Sequence, residues 1–218
     1  MAYTLSEYES KRLLAEHGVR VPPESLAASA DDAVSAGDDL GYPVVAKLCG
    51  RGIAHKSERG LVRLGLANAD ALRAAAGELL AARRPEDGDA ALLIQPMANG
   101  RREVIAGLVR DEQFGPCVML GLGGVFAEAL QDVAFAVAPL EPGDAAGLID
   151  ALEHRAILGE FRGEPAVDTA ALAGILEALG RIGLERDDVA SIDVNPLVLD
   201  GAEPVIVDAL VELRGEPS

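Results

Sequence analysis

The sequence contains no tryptophan, and its seven aromatic residues are dispersed, so there is no stacking platform for nucleic-acid bases. Basic residues are scarce. Nineteen lysines and arginines face 36 aspartates and glutamates, for a net charge of −17. A surface of that sign repels phosphate backbones and anionic lipid, which argues against a nucleic-acid or membrane-surface role. No apolar run approaches the length of a membrane span. The opening stretch MAYTLSEYESKRLL has neither a basic start nor an apolar core, so no signal peptide is expected. With only two cysteines, Cys49 and Cys117, the expectation is a reducing cytoplasm without a structural disulfide. The three histidines, His17, His55 and His154, are too scattered for a zinc set, and there is no Cys-x-x-Cys. Neither Ser57 nor Ser191 sits in a G-x-S-x-G context. Lysine is the scarcest charged residue: Lys11, Lys47 and Lys56 stand against 16 arginines. A lysine that persists under such a bias is a candidate for work needing a compact, mobile ammonium.

What is present suffices for a large core. Half of the 218 residues are hydrophobic, and a chain of this length can bury roughly 70% of its unfolded surface. Residues 6–17 read as a helix, with a Ser6/Glu9 capping box at one end and Gly18 at the other. Residues 19–28, with Pro22 and Pro23, read as an extended connector, and 31–40 as a second helix. The β-branched run 43–48 reads as a buried strand, 49–60 as a loop, 61–66 as its return strand, 69–84 as a helix and 90–95 as a strand. Residues 103–109 and 116–120 read as a hairpin around RDEQFG, followed by a glycine-rich turn and a strand at 133–138. Helices are expected at 142–152 and 169–180, and strands at 189–194 and 204–209. Strands and helices interleave, so the class is α/β or α+β. Residues 96–100 are the best hinge between two lobes.

Four stretches can carry chemistry. Lys47 lies near the end of an apolar strand. It reads either as a phosphate-binding lysine or as one that snorkels to water. The loop Gly50 to Ser57 nearly matches the P-loop pattern. His55, however, stands where the second glycine must let the backbone fold around a phosphate, so a P-loop is rejected. The loop remains either a flexible cationic cover for a nucleotide, with His55 able to take a phosphoryl group, or a mobile surface loop. Gly121-Leu122-Gly123-Gly124 lacks the last glycine of a dinucleotide fingerprint and reads equally as a tight turn, with Glu128 just beyond. Asp193 and Asn195 alternate on a strand and so face one side, and Asp208 lies in the strand expected to pair back. Oxygen ligands so placed suit Mg²⁺, and the same residues also read as a turn and a strand end.

Taken in order, LSEYESKRLLAEHGVRVP, GYPVVAKL, IAHKSERGLV, IQPM, REVIAGLVRDEQFGPCVMLGLGGVFAEALQDVAF, LGEFRG and IDVNPLV resemble the ATP-grasp β subunit of ADP-forming acetyl-CoA (acyl-CoA) synthetases. The same module is similar to the ATP-grasp part of succinyl-CoA synthetase β. The resemblance implies an α+β ATP-grasp fold, two lobes clasping a nucleotide. Residues 21–96 would form the small lobe, and 1–20 plus 97–218 the large one. It implies transfer of a phosphoryl group between a phosphohistidine of a partner α subunit and ADP or ATP, with Mg²⁺. By resemblance Lys47 contacts phosphate, and the strand Gln95, Pro96 and Met97 meets the adenine through its backbone. Glu103 lies near the ribose, Asn195 and Asp208 hold the metal, and Asp193 binds metal or steadies the incoming phosphohistidine. His55 matches a second phosphate relay. Lys56, Gly121, Gly123, Gly124 and Glu128 are motif positions without individual roles. No CoA-binding or phosphohistidine domain is visible, so an α partner is expected, in an α₂β₂ assembly. Two other readings compete: a nucleotide-sensing ATP-grasp module without turnover, and a stand-alone ATP-grasp carboxylate–amine ligase.

Overall fold

The structure, a computed structural model, describes residues 2–53, 56–124 and 130–215. The chain divides into two compact units. One comprises Thr4–Glu9 and Pro22–Met97; the other comprises Met1–Tyr3, Ser10–Val21 and Ala98–Ser218.

The first unit holds a four-stranded antiparallel sheet in the order β2 (Ser25–Ala27), β5 (Ala91–Pro96), β3 (Val44–Cys49), β4 (Val62–Leu66). Helices α2 (Ala30–Leu40) and α3 (Ala69–Ala81) are capped at their starts by the side chains of Ser29 and Asn68. Val44, Ala46 and Leu48 of β3 and Leu92 and Ile94 of β5 join Leu72 and Leu79 of α3 in one buried cluster. Each fully buried leucine there is worth about 2 kcal/mol relative to exposure. Strand parity then assigns the opposite face of the sheet. Val45 pairs with Gln95 and Lys47 with Leu93, so Lys47 and Gln95 share the face turned away from the helical core.

In the second unit a seven-stranded sheet runs β1 (Ala2–Thr4), β11 (Ala209–Arg214), β9 (Val189–Asp200), β6 (Arg102–Asp111), β7 (Gly115–Leu122), β8 (Val133–Val137), with β10 (Glu203–Ile206) also on β9. Helices α4 (Asp144–Ala151) and α5 (Thr169–Glu185) pack against it. Arg110 of β6 donates to the carbonyls of Gly183 and Arg186 and so closes the C-terminal end of α5.

Most expected elements form, and the departures have local causes. The 19–28 connector contains the short strand β2, which owes its identity to pairing with β5 some 65 residues on. Helix α3 stops at Ala81 rather than residue 84. Arg84 precedes Pro85 and is extended, as pre-proline sterics favour. Helix α5 runs on to Glu185 rather than stopping at Gly180. A Cβ at Gly183 would lie 2.7 Å from Pro116, so glycine in this helix admits the sheet rather than ending the turn. Cys49 and Cys117 are both free and buried, and burial pushes the Cys49 thiol up. Among the described residues no helix is long and apolar enough to cross a membrane.

The capping box at the start of α1 (Glu7–Glu16) forms. The Ser6 amide and hydroxyl donate to the Glu9 carboxylate at 2.9 and 2.8 Å. Arg51 adds a bidentate contact with donor–acceptor distances down to 2.6 Å. Chiefly through that Arg51 bond, Glu9 titrates at about 2 instead of 4.5. A depressed carboxylate stabilises the fold above its unfolded value, and this stabilisation is lost as pH falls from about 4.5 to about 2. With the side chain partly exposed, its worth is on the order of 1 kcal/mol. Glu9→Gln is therefore expected to melt about 3 °C below the parent at pH 7, with the two curves merging near pH 2.

Candidate functional site

All three lysines are buried: Lys11 is 0%, Lys47 5% and Lys56 8% exposed. Two of them share one carboxylate. The Lys47 ammonium lies 2.7 Å from Glu7 Oε1, and that of Lys56 lies 2.8 Å from Glu7 Oε2. The Glu7 side chain is fully buried. Burying a lone ammonium is costly, and a carboxylate between two of them offsets the cost. This is a built ionic centre on the face of the small sheet turned away from α2 and α3.

The 49–60 loop is anchored rather than free among its described residues. Ile53 and Leu61 are buried in the core cluster. Arg51 is held by Glu9, Lys56 by Glu7, and Arg59 by a bidentate bond to Asp87 at 2.8 and 2.9 Å. Arg51, Ile53, Lys56 and Arg59 thus each carry either a cation with a fixed acid or an apolar side chain that the core accepts. His55 lies outside the described residues.

Gln95, at 2% exposure, and Pro96 end β5. Strand β2 pairs with Leu92–Ile94, and Val45 and Val44 of β3 pair with Gln95 and Pro96. The Met97 amide donates to the Pro43 carbonyl at 3.0 Å and is committed to the fold.

In the other unit a second group converges. Asp193 and Asn195 of β9 are exposed between buried Ile192 and Val194, as strand alternation requires. Asp208 is not inside a strand. It lies with Val207 in the two-residue step between β10 and β11. That step faces Asn195-Pro196: the Asn195 amide donates to the Asp208 carbonyl at 3.2 Å, and the Val207 amide donates to Pro196 at 3.4 Å. The pairing shift of β9 against β6 falls at the same place. Loss of solvent, then the Asp208 carboxylate, push the Asp193 carboxyl above its ordinary range, while a bond from the Asn195 side chain opposes this. Two carboxylates and an amide oxygen are hard donors, too few to fill a coordination sphere alone. That suits Mg²⁺, which keeps water and phosphate ligands. Among the described residues no three His, Cys, Asp or Glu side chains form a group that could hold a metal ion.

Glu103 borders a pocket of about 670 Å³ in this same unit, with Gly123, Gly124, Arg101 and the segment 157–164 around it. The Gly123 amide donates to the Glu103 carbonyl at 2.9 Å. A Cβ on Gly123 would lie 2.9 Å from the Glu103 backbone, so only glycine permits this approach. Gly121 lies within β7 rather than in a turn. Glu128 lies outside the described residues.

Two residues escaped sequence reasoning. Glu7 reads as one of two acids favouring a helix start, and its partners lie 40 and 49 residues away. Arg102, 4% exposed, reads as one of a surface pair. The only available signal for Glu7 was the need of two apolar-flanked lysines for an acid.

The ATP-grasp domain family matches residues 1–213. The chain is 39% identical over 208 residues to the β subunit of ADP-forming acetate–CoA ligase I from Pyrococcus furiosus, covering 94% of this chain and 90% of that one. Its structure is similar to that of a dinucleotide-forming acetyl-coenzyme A synthetase 1 from Ca. Korarchaeum cryptofilum in complex with coenzyme A, Ca-AMPCP and HgCl⁺. The TM-score is 0.91 at 37% identity, covering 97% of this chain and 94% of that one. A second structure of that enzyme, with coenzyme A and Mg-AMPPCP and with its phosphohistidine segment pointing towards the nucleotide binding site, gives a TM-score of 0.83 at 36% identity over 97% of this chain and 93% of that one. Together with the mixed sheets and the two residue groups, these matches place the chain in the ATP-grasp family, among the β subunits of ADP-forming acetate–CoA ligases.

Proposed function

We propose that this chain is the nucleotide-binding β subunit of an ADP-forming acyl-CoA synthetase, moving a phosphoryl group between a phosphohistidine on a partner α subunit and ADP or ATP. The observation that carries this reading is the convergence of Asp193, Asn195 and Asp208 on the paired step between β10 and β11, in a chain that matches a β subunit over 90% of its length.

In this reading Thr4–Glu9 with Pro22–Met97, and the remainder of the chain, are the small and large ATP-grasp lobes. Lys47, set by Glu7, meets a phosphate of the nucleotide, and Lys56 supports the same charge. The backbone of Gln95 and Pro96 offers the adenine its edge, the Met97 amide being already committed to Pro43, and Glu103 accepts from the ribose hydroxyls. Asn195 and Asp208 would hold Mg²⁺, which when bound would offset charge on the transferring group. Asp193 steadies the approaching phosphohistidine, whose protonated form its carboxylate favours. In the step itself the N–P bond of the phosphohistidine breaks as a P–O bond forms to the terminal oxygen of ADP. No proton need move between the two reactants. The protein's work is position and charge compensation. His55 is the candidate relay when the group must pause on this chain. The acyl-transfer half of the reaction belongs to the α partner, in an α₂β₂ assembly.

Calorimetric titration with ADP tests the nucleotide and metal parts together. Binding is expected to strengthen with Mg²⁺ in the parent chain, and the Mg²⁺ increment is expected to vanish in Asp208→Ala. Equal Mg²⁺ increments in both would remove Asp208 as a ligand, and no ADP binding with or without Mg²⁺ would sink the nucleotide reading.

A further inference from the structure

The segment LGEFRG, residues 158–163, has no part in the transfer proposed for this chain. In the structure Phe161 and Glu164 exchange two backbone bonds, at 3.1 and 2.9 Å, around Arg162 and Gly163. Both central residues have positive φ, +50° and +84°, the pattern of a type I′ hairpin turn. At the first of these positions asparagine, aspartate or glycine is preferred, and arginine is strained.

The hairpin is clamped from beneath. Buried Arg102 donates from Nε to Glu164 at 2.9 Å and from Nη1 to the carbonyls of Ile157 and Gly159, both at 2.9 Å. Its Nη2 donates to the carbonyls of Pro165 and Gly201 at 2.7 and 3.0 Å. One guanidinium thus fixes the whole 157–165 segment to the end of β9, and the strained turn cannot relax by moving. Among the described residues, the Arg162 guanidinium itself meets only the Phe161 ring, 5.3 Å from its centroid, a stacking that limits where it can point.

It lines the same 670 Å³ pocket as Glu103, Gly123 and Gly124. Once Arg102 and Glu164 have neutralised each other, Arg101, Arg162 and Glu103 are the charged residues left among the described ones that line the pocket. Among the described residues lining it, an excess of positive charge in a chain of net −17 suits an anionic ligand, while Glu103 suits donors such as hydroxyls. A phosphorylated ribose satisfies both.

We propose that Arg162 is a phosphate-contacting, specificity-determining residue of the nucleotide site, presented by a strained hairpin that Arg102 locks in place. This rests on the nucleotide reading and adds to it a second source of phosphate recognition besides Lys47. A glycine at 162 fits the turn without strain, so fold and function separate cleanly in one variant.

The test is calorimetric titration of the parent and Arg162→Gly with ADP and with adenosine, alongside thermal melting of both. The expected result is an ADP affinity lower by about ten- to a hundred-fold, unchanged adenosine affinity, and a melting temperature equal to or above the parent's. Undiminished ADP affinity would overturn the proposal. So would equal losses for ADP and adenosine, which would place Arg162 on the nucleoside, or a marked fall in melting temperature, which would make it a structural residue. Failure of the parent chain to bind ADP would overturn the nucleotide reading itself, and this inference with it.

Discussion

Glu7→Ala is expected to lower the melting temperature by about 10 °C. The carboxylate lies between two buried ammonium groups at 2.7 and 2.8 Å, and removing it takes from both the acid they share. Deleting one partner from a buried ionic cluster costs about 3–5 kcal/mol, and for a chain of this size each kcal/mol shifts melting by about 2–4 °C. Glu7→Gln should fall nearly as far, because an amide keeps the shape and loses the charge. The cost is one of uncompensated charge, not of lost packing. Replacing all three groups with apolar residues of similar volume, Glu7→Leu with Lys47→Met and Lys56→Met, should therefore recover most of the loss. Thermal melting of the four proteins decides this. A triple variant no more stable than Glu7→Ala would show that the trio is held by shape.

Lys47→Ala is expected to do the reverse, leaving stability nearly intact and disabling transfer. Lys56 remains on Glu7, so no acid is stranded, and melting should stay within a few degrees of the parent. The rate of phosphoryl transfer should fall about 100- to 1000-fold, the usual cost of removing a preorganised group from developing charge. Lys47→Arg should not rescue it. The strand position is enclosed, at 5% exposure, and a planar guanidinium does not fit a cavity shaped for a compact ammonium. Measuring melting and ATP formation on the same preparations separates the two lysine-cluster roles: Glu7 as scaffold, Lys47 as the group that meets substrate.

Much of this fold was legible because its signals are local. Ser6 and Glu9 are three residues apart and cap each other as their spacing implies. The alternation around Asp193 and Asn195 reads directly as one exposed side of a strand. The long hairpin of β6 and β7 announces itself by two apolar runs about a polar turn. What escaped is set by partners remote in sequence. Strand β2 has three residues and exists through β5. Asp208 looks like a strand residue but occupies a step that only the pairing of Asn195 and Pro196 with the facing backbone creates. The 49–60 loop looks mobile because glycine and charge dominate it, yet its cations find their acids outside it, Arg51 and Lys56 on α1 and Arg59 on Asp87. Arg102 shows the same limit: its carbonyl partners span residues 157 to 201, and no window of sequence displays that.

The measurement that bears most directly on the central claim is ATP formation from ADP, phosphate and acetyl-CoA, with and without the α subunit of the same enzyme. The expected result is no turnover by this chain alone, turnover when the α subunit is added, and its near-complete loss when Lys47→Ala replaces the parent. ATP formed at the same rate without the α subunit, or a reconstituted complex indifferent to Lys47, would contradict it.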